Sequence, residues 1–363
     1  MQYREPRFWI ASELPTILAV RGSQGVLSTH TQTIVRLAGT LYTVPAMTVT
    51  KALIVALCAL FAFRELSAQT SAWQPSPGHT QVPIWPGAVP EAQPVTGSET
   101  STTTEKDHLV AGKPWTYVER VSRPTMTVYS PAGKNTGAAA VVFPGGGYWI
   151  LAIDLEGTEV CDWLTAKGIT CVLLKYRVPG NGIEPRSGPY PKSPMALEDA
   201  QRAVALVRFH AAEWHINPHK IGVLGFSAGG HLVAAISTHF EHRLYPAVDA
   251  ADKTSCRPDF AVAIYPGHLS LADNSFALNP DIAAHITRET PPTFLLQNED
   301  DHVDRVEDSL SYYAALKKAG VPVEMHLYAQ GGHAFGLRRT KVPVTAWPQL
   351  VETWLGSIGM VPE

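Results

Sequence analysis

Ser227 stands in the run Gly225-Phe226-Ser227-Ala228-Gly229. Residues 221–226 before it are apolar and β-branched, and the stretch from His231 has helical character. A G-x-S-x-G spacing between a strand and a helix puts a serine hydroxyl on a sharp turn, clear of the sheet, with small residues on either side so that neighbouring backbone can approach. Such a turn also aims backbone N–H groups at any negative charge that develops beside the serine. The chemistry this allows is attack on a carbonyl carbon. Set against a merely structural glycine-rich turn, the strand-turn-helix context favours the catalytic reading of Ser227.

A serine is a weak nucleophile until a base takes its proton, and an imidazole base needs a carboxylate to orient it. With this kind of turn the chain order is serine, then acid, then histidine, the last two on loops after later strands. After strand 293–297 comes Asn298-Glu299-Asp300-Asp301-His302-Val303, and after strand 323–328 comes Gln330-Gly331-Gly332-His333-Ala334-Phe335-Gly336. His333 is the expected base, against a solvent-facing loop histidine, and Asp301 the expected acid. Asp300 ranks second and Glu299 third, because loop geometry rather than residue type decides among neighbours. His231, one turn past Ser227, reads as a packing or hydrogen-bonding residue. His239 and His242 form a possible metal pair on one helix face, but no third ligand has suitable spacing, so no metal and no organic cofactor is expected.

The third requirement is a cradle for the oxyanion. Phe143-Pro144-Gly145-Gly146-Gly147-Tyr148 follows strand 139–143. Three successive glycines carry a high conformational entropy cost and mark backbone that adopts unusual dihedrals or approaches something closely. The N–H groups of Gly146, Gly147 and Ala228 are the expected donors. Lipases and esterases carry an HGGG-type segment here, and proline replaces its histidine. A phosphate-binding loop would require a following Lys-Ser/Thr, which is missing. Tyr148, Trp149 and Trp214 are candidates for a pocket wall, with a core position preferred for Trp214.

These loops must be positioned by regular elements. Short runs at 127–129, 139–143, 170–175, 221–226, 260–265, 293–297 and 323–328 read as strands, several continuously apolar as in strands buried on both faces. Between them lie amphipathic helices. The clearest has Ser193 as N-cap and Pro194 at its first position, with Leu197, Ala200, Val204, Val207, Ala211 and Trp214 at spacings of three and four. The alternation implies the α/β class, a mostly parallel sheet covered by helices on both faces.

The chain has 363 residues, is 45% hydrophobic and 17% charged, and carries a net charge of −3. That balance provides no basic field for nucleic acid or anionic membranes. Residues 47–68, with Lys51 before an apolar run at 52–63 and a small-residue cleavage point after Ala68, read as a secretory signal. The run is shorter than the roughly 20 residues that span a bilayer, so no integral span is expected in the mature chain, which would be secreted or periplasmic. Residues 1–46 then read as a non-native or disordered extension, 69–104 as a Pro/Ser/Thr-rich arm lying on the domain, and 105–363 as the catalytic domain. Of Cys58, Cys161, Cys171 and Cys256, the first would leave with the signal. Cys161 and Cys171 read as two small buried residues in preference to a bridge.

The whole pattern resembles the bacterial acetylxylan esterase-like α/β-hydrolases, related to feruloyl esterase and hormone-sensitive-lipase-like groups. The matching stretches are Pro83-Ile84-Trp85-Pro86-Gly87, the Phe143–Tyr148 and Gly225–Leu232 segments, Glu156-Gly157, Leu174-Lys175-Tyr176-Arg177, Asp199-Ala200-Gln201-Arg202-Ala203 and Gly331-Gly332-His333-Ala334-Phe335-Gly336-Leu337. They cover roughly residues 83–356. The acid loop departs from the pattern, with Gln297-Asn298 where such proteins often have His-Gly. The resemblance implies Ser227, Asp301 and His333 as a triad and a small-molecule or polysaccharide ester as substrate, acetyl groups on plant-wall carbohydrate above all. A broad carboxylesterase or feruloyl esterase and a peptidase of the same fold are the alternatives. A glycosidase would need two carboxylates across a cleft; Glu156 and Glu198 are available in number, but neither follows a strand end in an aromatic cleft pattern, and the triad would be left without purpose.

Overall fold

A computed structural model describes residues 33–37, 40–44, 72–92, 95, 97–179, 194–271 and 276–362. Lys51, the run 52–63, Cys58 and Ser193 lie outside the described residues. The chain divides into two units, Met1–Gln69 and Thr70–Glu363. In the first, Thr33–Leu37 and Thr40–Val44 pair as an antiparallel hairpin.

The second unit is built on an eight-stranded sheet. Its strands in chain order are β1 (Gln81–Pro83), β2 (Thr125–Tyr129), β3 (Ala139–Phe143), β4 (Thr170–Lys175), β5 (Ile221–Phe226), β6 (Ala261–Ile264), β7 (Thr293–Asn298) and β8 (Val323–Tyr328). In space they run 8-7-6-5-3-4-2-1, and only β2 lies antiparallel to its neighbours β1 and β4. Every residue of β3, β4, β5, β6 and β7 is buried. Successive strand side chains point to opposite faces, so both faces of the sheet are covered. This accounts for the continuous apolar runs and makes the chain an α/β protein.

The register places the chemistry. Phe143 pairs with Gly225, Phe226 with Ile264, and Asn298 with Tyr328. The carboxyl ends of β3, β5, β6, β7 and β8 therefore form one edge, and the loops that leave them must meet there, as ligand loops do in open parallel sheets.

The connecting helices are α1 (Glu159–Ala166), α2 (Met195–Phe209), α3 (Ala228–Thr238), α4 (Pro280–Ala284), α5 (Val306–Ala319) and α6 (Trp347–Ser357). Helix α2 opens at Met195 with Pro194 as its cap residue, one position later than expected, and closes at Phe209. Trp214 thus falls beyond the helix, where it stacks on His210 and packs against the core from its rim.

Two further features differ from the sequence reading. Cys161 on α1 and Cys171 on β4 are both fully buried, as expected, but they form a disulfide, which corrects the preference for free thiols. The spacing of ten positions is spanned by a helix end, a turn and a strand start, and this fold-back brings the two Cα atoms to 5.1 Å. Cys256 is buried and free. The segment before β2 is also more structured than its composition suggests, since Thr100–Thr103, Thr116–Glu119 and Ile150–Leu151 form a second, three-stranded sheet.

The arm is tied down by charge. Arg177, buried after β4, binds Asp199 through Nε at 2.9 Å and Glu198 through Nη2 at 2.8 Å, and its Nη1 donates to the Pro90 carbonyl at 2.6 Å. Trp85 Nε1 donates to Asp199 Oδ1 at 2.8 Å, and Arg202 Nε to the Ile84 carbonyl at 2.9 Å. Several of the stretches that carry the resemblance are thus parts of one buried ionic anchor.

Candidate active site

Ser227 follows β5 directly and caps the N-terminus of α3, with φ 52° and ψ −120°. A non-glycine residue in this region is strained, and such strain persists only where the surroundings hold it. Here Ser227 N–H donates to the Ile264 carbonyl at 3.0 Å, and the Ser227 carbonyl accepts from His231 N–H at 2.9 Å. A side chain at Gly229 would strike the Phe143 carbonyl, so the small residue lets α3 pack against the end of β3.

The loops from the other strand ends meet at this serine. His333 Nε2 lies 3.0 Å from Ser227 Oγ, and His333 Nδ1 lies 2.7 Å from Asp301 Oδ2. The other Asp301 oxygen accepts the N–H groups of Val303 and Asp304 at 2.9 and 3.0 Å. Asp300 points elsewhere: its Oδ1 accepts the N–H groups of Gly331 and Gly332 at 2.9 and 2.8 Å. It braces the histidine loop instead of the imidazole. Glu299 is exposed. Gln297 and Asn298, where the acid loop departs from its relatives' pattern, also brace these loops. Gln297 Nε2 donates to the Asp304 carbonyl at 2.7 Å and Asn298 Nδ2 to the Gly332 carbonyl at 2.8 Å.

The glycine loop comes to the same place. Gly146 has φ +130° and a Cβ there would strike the Ile150 carbonyl, so this position is closed to any side chain. Gly145 N–H donates at 2.8 Å to Oε2 of Glu156, whose other oxygen accepts from Tyr265 OH at 2.8 Å. Burial raises the pKa of Glu156, an effect that the Tyr265 hydrogen bond partly offsets. Glu198 is committed to Arg177, so Glu156 and Glu198 do not flank a common cleft.

Asp304 was not anticipated. Ser227 Oγ donates to its Oδ2 at 3.0 Å, and the same oxygen lies 3.7 Å from His333 Nε2. Three residues after Asp301, in a loop already rich in acids, nothing in its spacing sets it apart. Burial pushes its carboxyl above the usual range, opposed by the charges of His333 and His268. For His333, burial acts to lower the pKa, but the Asp301 hydrogen bond with the charges of Asp304, Asp301 and Glu156 outweighs it and holds the imidazole above its ordinary value. His231 is fully buried beside Tyr148 OH at 2.8 Å, and burial pushes its pKa down to about 3. It is a neutral packing partner.

Ser227, His333, Asp304, Gly146 and Gly147 line a cavity of about 430 Å³. Its aromatic wall is Trp115, while Tyr148 is 1% exposed and turned to His231, and Trp214 packs against the core, the position preferred for it. Arg338, five residues past His333, holds this wall by donating to the Lys113 carbonyl at 2.8 Å while pairing with Glu159 at 2.7 Å.

A family model described as BD-FAE matches residues 126–266. An acetyl ester-xyloside bifunctional hydrolase from Caldicellulosiruptor lactoaceticus is 32% identical, and the superposition covers 78% of this chain and 97% of that one with a TM-score of 0.61. The chain belongs to the acetylxylan and feruloyl esterase-like α/β-hydrolases. This α/β-hydrolase is also 30% identical over 225 residues to an acetylxylan esterase of Xylanibacter ruminicola, covering 58% of this chain and 43% of that protein. It is 30% identical over 208 residues to endo-1,4-beta-xylanase B of Butyrivibrio fibrisolvens, covering 53% of this chain and 32% of that protein. The α/β-hydrolase thus spans less than half the length of either curated relative. The family is one of carboxylic ester hydrolases.

Proposed function

We propose that this α/β-hydrolase is a serine esterase acting on short-chain acyl esters, acetyl groups on xylan or related plant-wall carbohydrate in particular. The observation that carries the reading is the continuous chain from Asp301 through His333 to Ser227, at 2.7 and 3.0 Å. His333 takes the Ser227 proton as Oγ attacks the ester carbonyl, and Asp301 stabilises the imidazolium. The N–H groups of Gly146, Gly147 and Ala228, the last at the open N-terminus of α3, receive the oxyanion. Protonated His333 then donates to the leaving alcohol, and water, deprotonated by the same imidazole, releases the acid. The chemistry needs no metal or organic cofactor.

The cavity suits a small acyl group, with Val110, Trp115, Ala152 and Leu155 as apolar contacts. The similarity to proteins named for acetylxylan and for acetyl esters and xylosides supports a carbohydrate alcohol. Secretion or a periplasmic location, after removal of residues 47–68 as a signal, is supported by the Cys161–Cys171 bridge, a feature of oxidising compartments. Among the described residues no helix is long and apolar enough to cross a membrane.

The test is turnover of p-nitrophenyl esters of increasing acyl length and acetate release from acetylated xylan, with Ser227→Ala as control. Best rates on acetyl esters, lost in the variant, support the proposal. Preference for long acyl chains would overturn the carbohydrate assignment, and turnover surviving in the variant would overturn the mechanism.

A further inference from the structure

At the opposite end of the helix that Ser227 opens, two imidazoles and a carboxylate converge. His239 caps the C-terminus of α3, and His285 caps that of α4, in which Asp281 occupies the first turn. The two rings lie 4.2 Å apart between centroids, His239 Nε2 stands 3.4 Å from Asp281 Oδ2, and one ligand atom from each of the three residues falls within 4.8 Å of the others. His242, three positions from His239 and exposed, is not part of the group.

The remaining ring nitrogens show which atoms face inward. His239 Nδ1 is 3.0 Å from the Ala235 carbonyl, and His285 Nδ1 is 2.7 Å from the Asp281 carbonyl. A carbonyl oxygen only accepts, so each Nδ1 carries a proton and donates it, and a neutral ring is left with a lone pair on Nε2. Imidazoles that bind metals are oriented in this way, by a backbone carbonyl at the second nitrogen. The third member, Asp281 Oδ2, is a buried carboxylate oxygen that faces His239 Nε2 at 3.4 Å and has no closer hydrogen-bond partner. Nitrogen lone pairs and a carboxylate oxygen brought this close call for a positive charge between them, which a proton or a metal ion supplies. The carbonyl end of α3 adds further negative potential at this place.

We propose that His239, Asp281 and His285 form a binding site for a divalent transition-metal ion, Zn²⁺ first. The ligand atoms are Nε2 of each histidine and Oδ2 of the aspartate, with water completing a tetrahedron. Two imidazoles with one carboxylate suit Zn²⁺ and its neighbours better than Ca²⁺ or Mg²⁺, which prefer all-oxygen sets. The ion is structural: it pins the end of α3 to the segment that carries α4, and the ester chemistry at Ser227 runs without it. The two histidines escape a search for ligand spacing because 46 positions separate them in the chain, from 239 to 285.

The experiment uses the full chain without an affinity tag, stripped with a chelator and titrated with Zn²⁺ by calorimetry, with Co²⁺ as a visible probe. The expected result is one equivalent bound per chain, a rise of a few degrees in melting temperature at saturation, and the intense visible absorption of tetrahedral Co²⁺. His285→Ala, which alters an exposed ring, and the isosteric Asp281→Asn should each weaken Zn²⁺ at least about tenfold and remove the thermal shift. His242→Ala should bind as the unaltered chain does. Absence of saturable binding in the unaltered chain would overturn the proposal. So would binding that survives in both ligand variants or disappears in His242→Ala.

Discussion

Asp304 Oδ2 accepts the hydroxyl of Ser227 at 3.0 Å, the same distance at which His333 Nε2 approaches Ser227 Oγ. The nucleophile therefore has two acceptors, and its single proton serves only one at a time. Proton transfer to His333 requires that the hydroxyl turn away from Asp304 and that the imidazole be neutral.

The charge of Asp304 also favours the imidazolium, because an anion near Nε2 stabilises the protonated ring. The neutral fraction of His333 rises as pH rises through its pKa, so activity should fall on the acid side of a pKa held above the ordinary imidazole value. Asp304→Asn removes one contribution that raises this pKa. Its acid limb of kcat/KM should move to lower pH, read from p-nitrophenyl acetate profiles of both proteins. An unmoved limb would show that Asp304 is protonated throughout the working range.

Asp301 and Asp300 are adjacent but do different work. Asp301→Asn should reduce kcat by about 10³- to 10⁴-fold, as expected when the orienting carboxylate is lost. Asp300→Asn disturbs only the brace on Gly331 and Gly332, and a loss of about tenfold is expected, with lower thermal stability. Equal losses in the two variants would argue against the assignment of Asp301 as the acid.

Gly146→Ala tests the oxyanion loop. The added methyl meets the Ile150 carbonyl at a backbone dihedral that side chains rarely adopt, so the loop must shift. A fall in kcat of about 10²- to 10³-fold is expected, the cost of one lost oxyanion donor, with destabilisation of about 1–3 kcal/mol. Kinetics and a denaturant melt on one preparation separate the two effects.

Replacing Cys161 and Cys171 together by alanine opens a short loop between α1 and β4. Loss of such a cross-link costs about 2–4 kcal/mol. The melting temperature should fall while kcat stays within a few-fold of the starting value, and reductant should lower the melt of the unaltered chain but not of the variant.

Residues close in the chain could be read directly. Glycines that permit a turn and apolar runs buried on two faces are local features, from which the sheet class followed, and the chain order of serine, acid and histidine named Ser227, Asp301 and His333 as the expected site. What joins distant segments could not be read. The approach of Asp304 to the nucleophile, the wall supplied by Trp115, the bridge between Cys161 and Cys171, and the meeting of His239 with His285 each depend on where loops leave the sheet and how they return. Periodicity records which face of an element is buried, but it carries no information about which neighbour covers that face. That was decided by tertiary packing, because a difference of one residue along a loop redirects a carboxylate from an imidazole to a backbone amide.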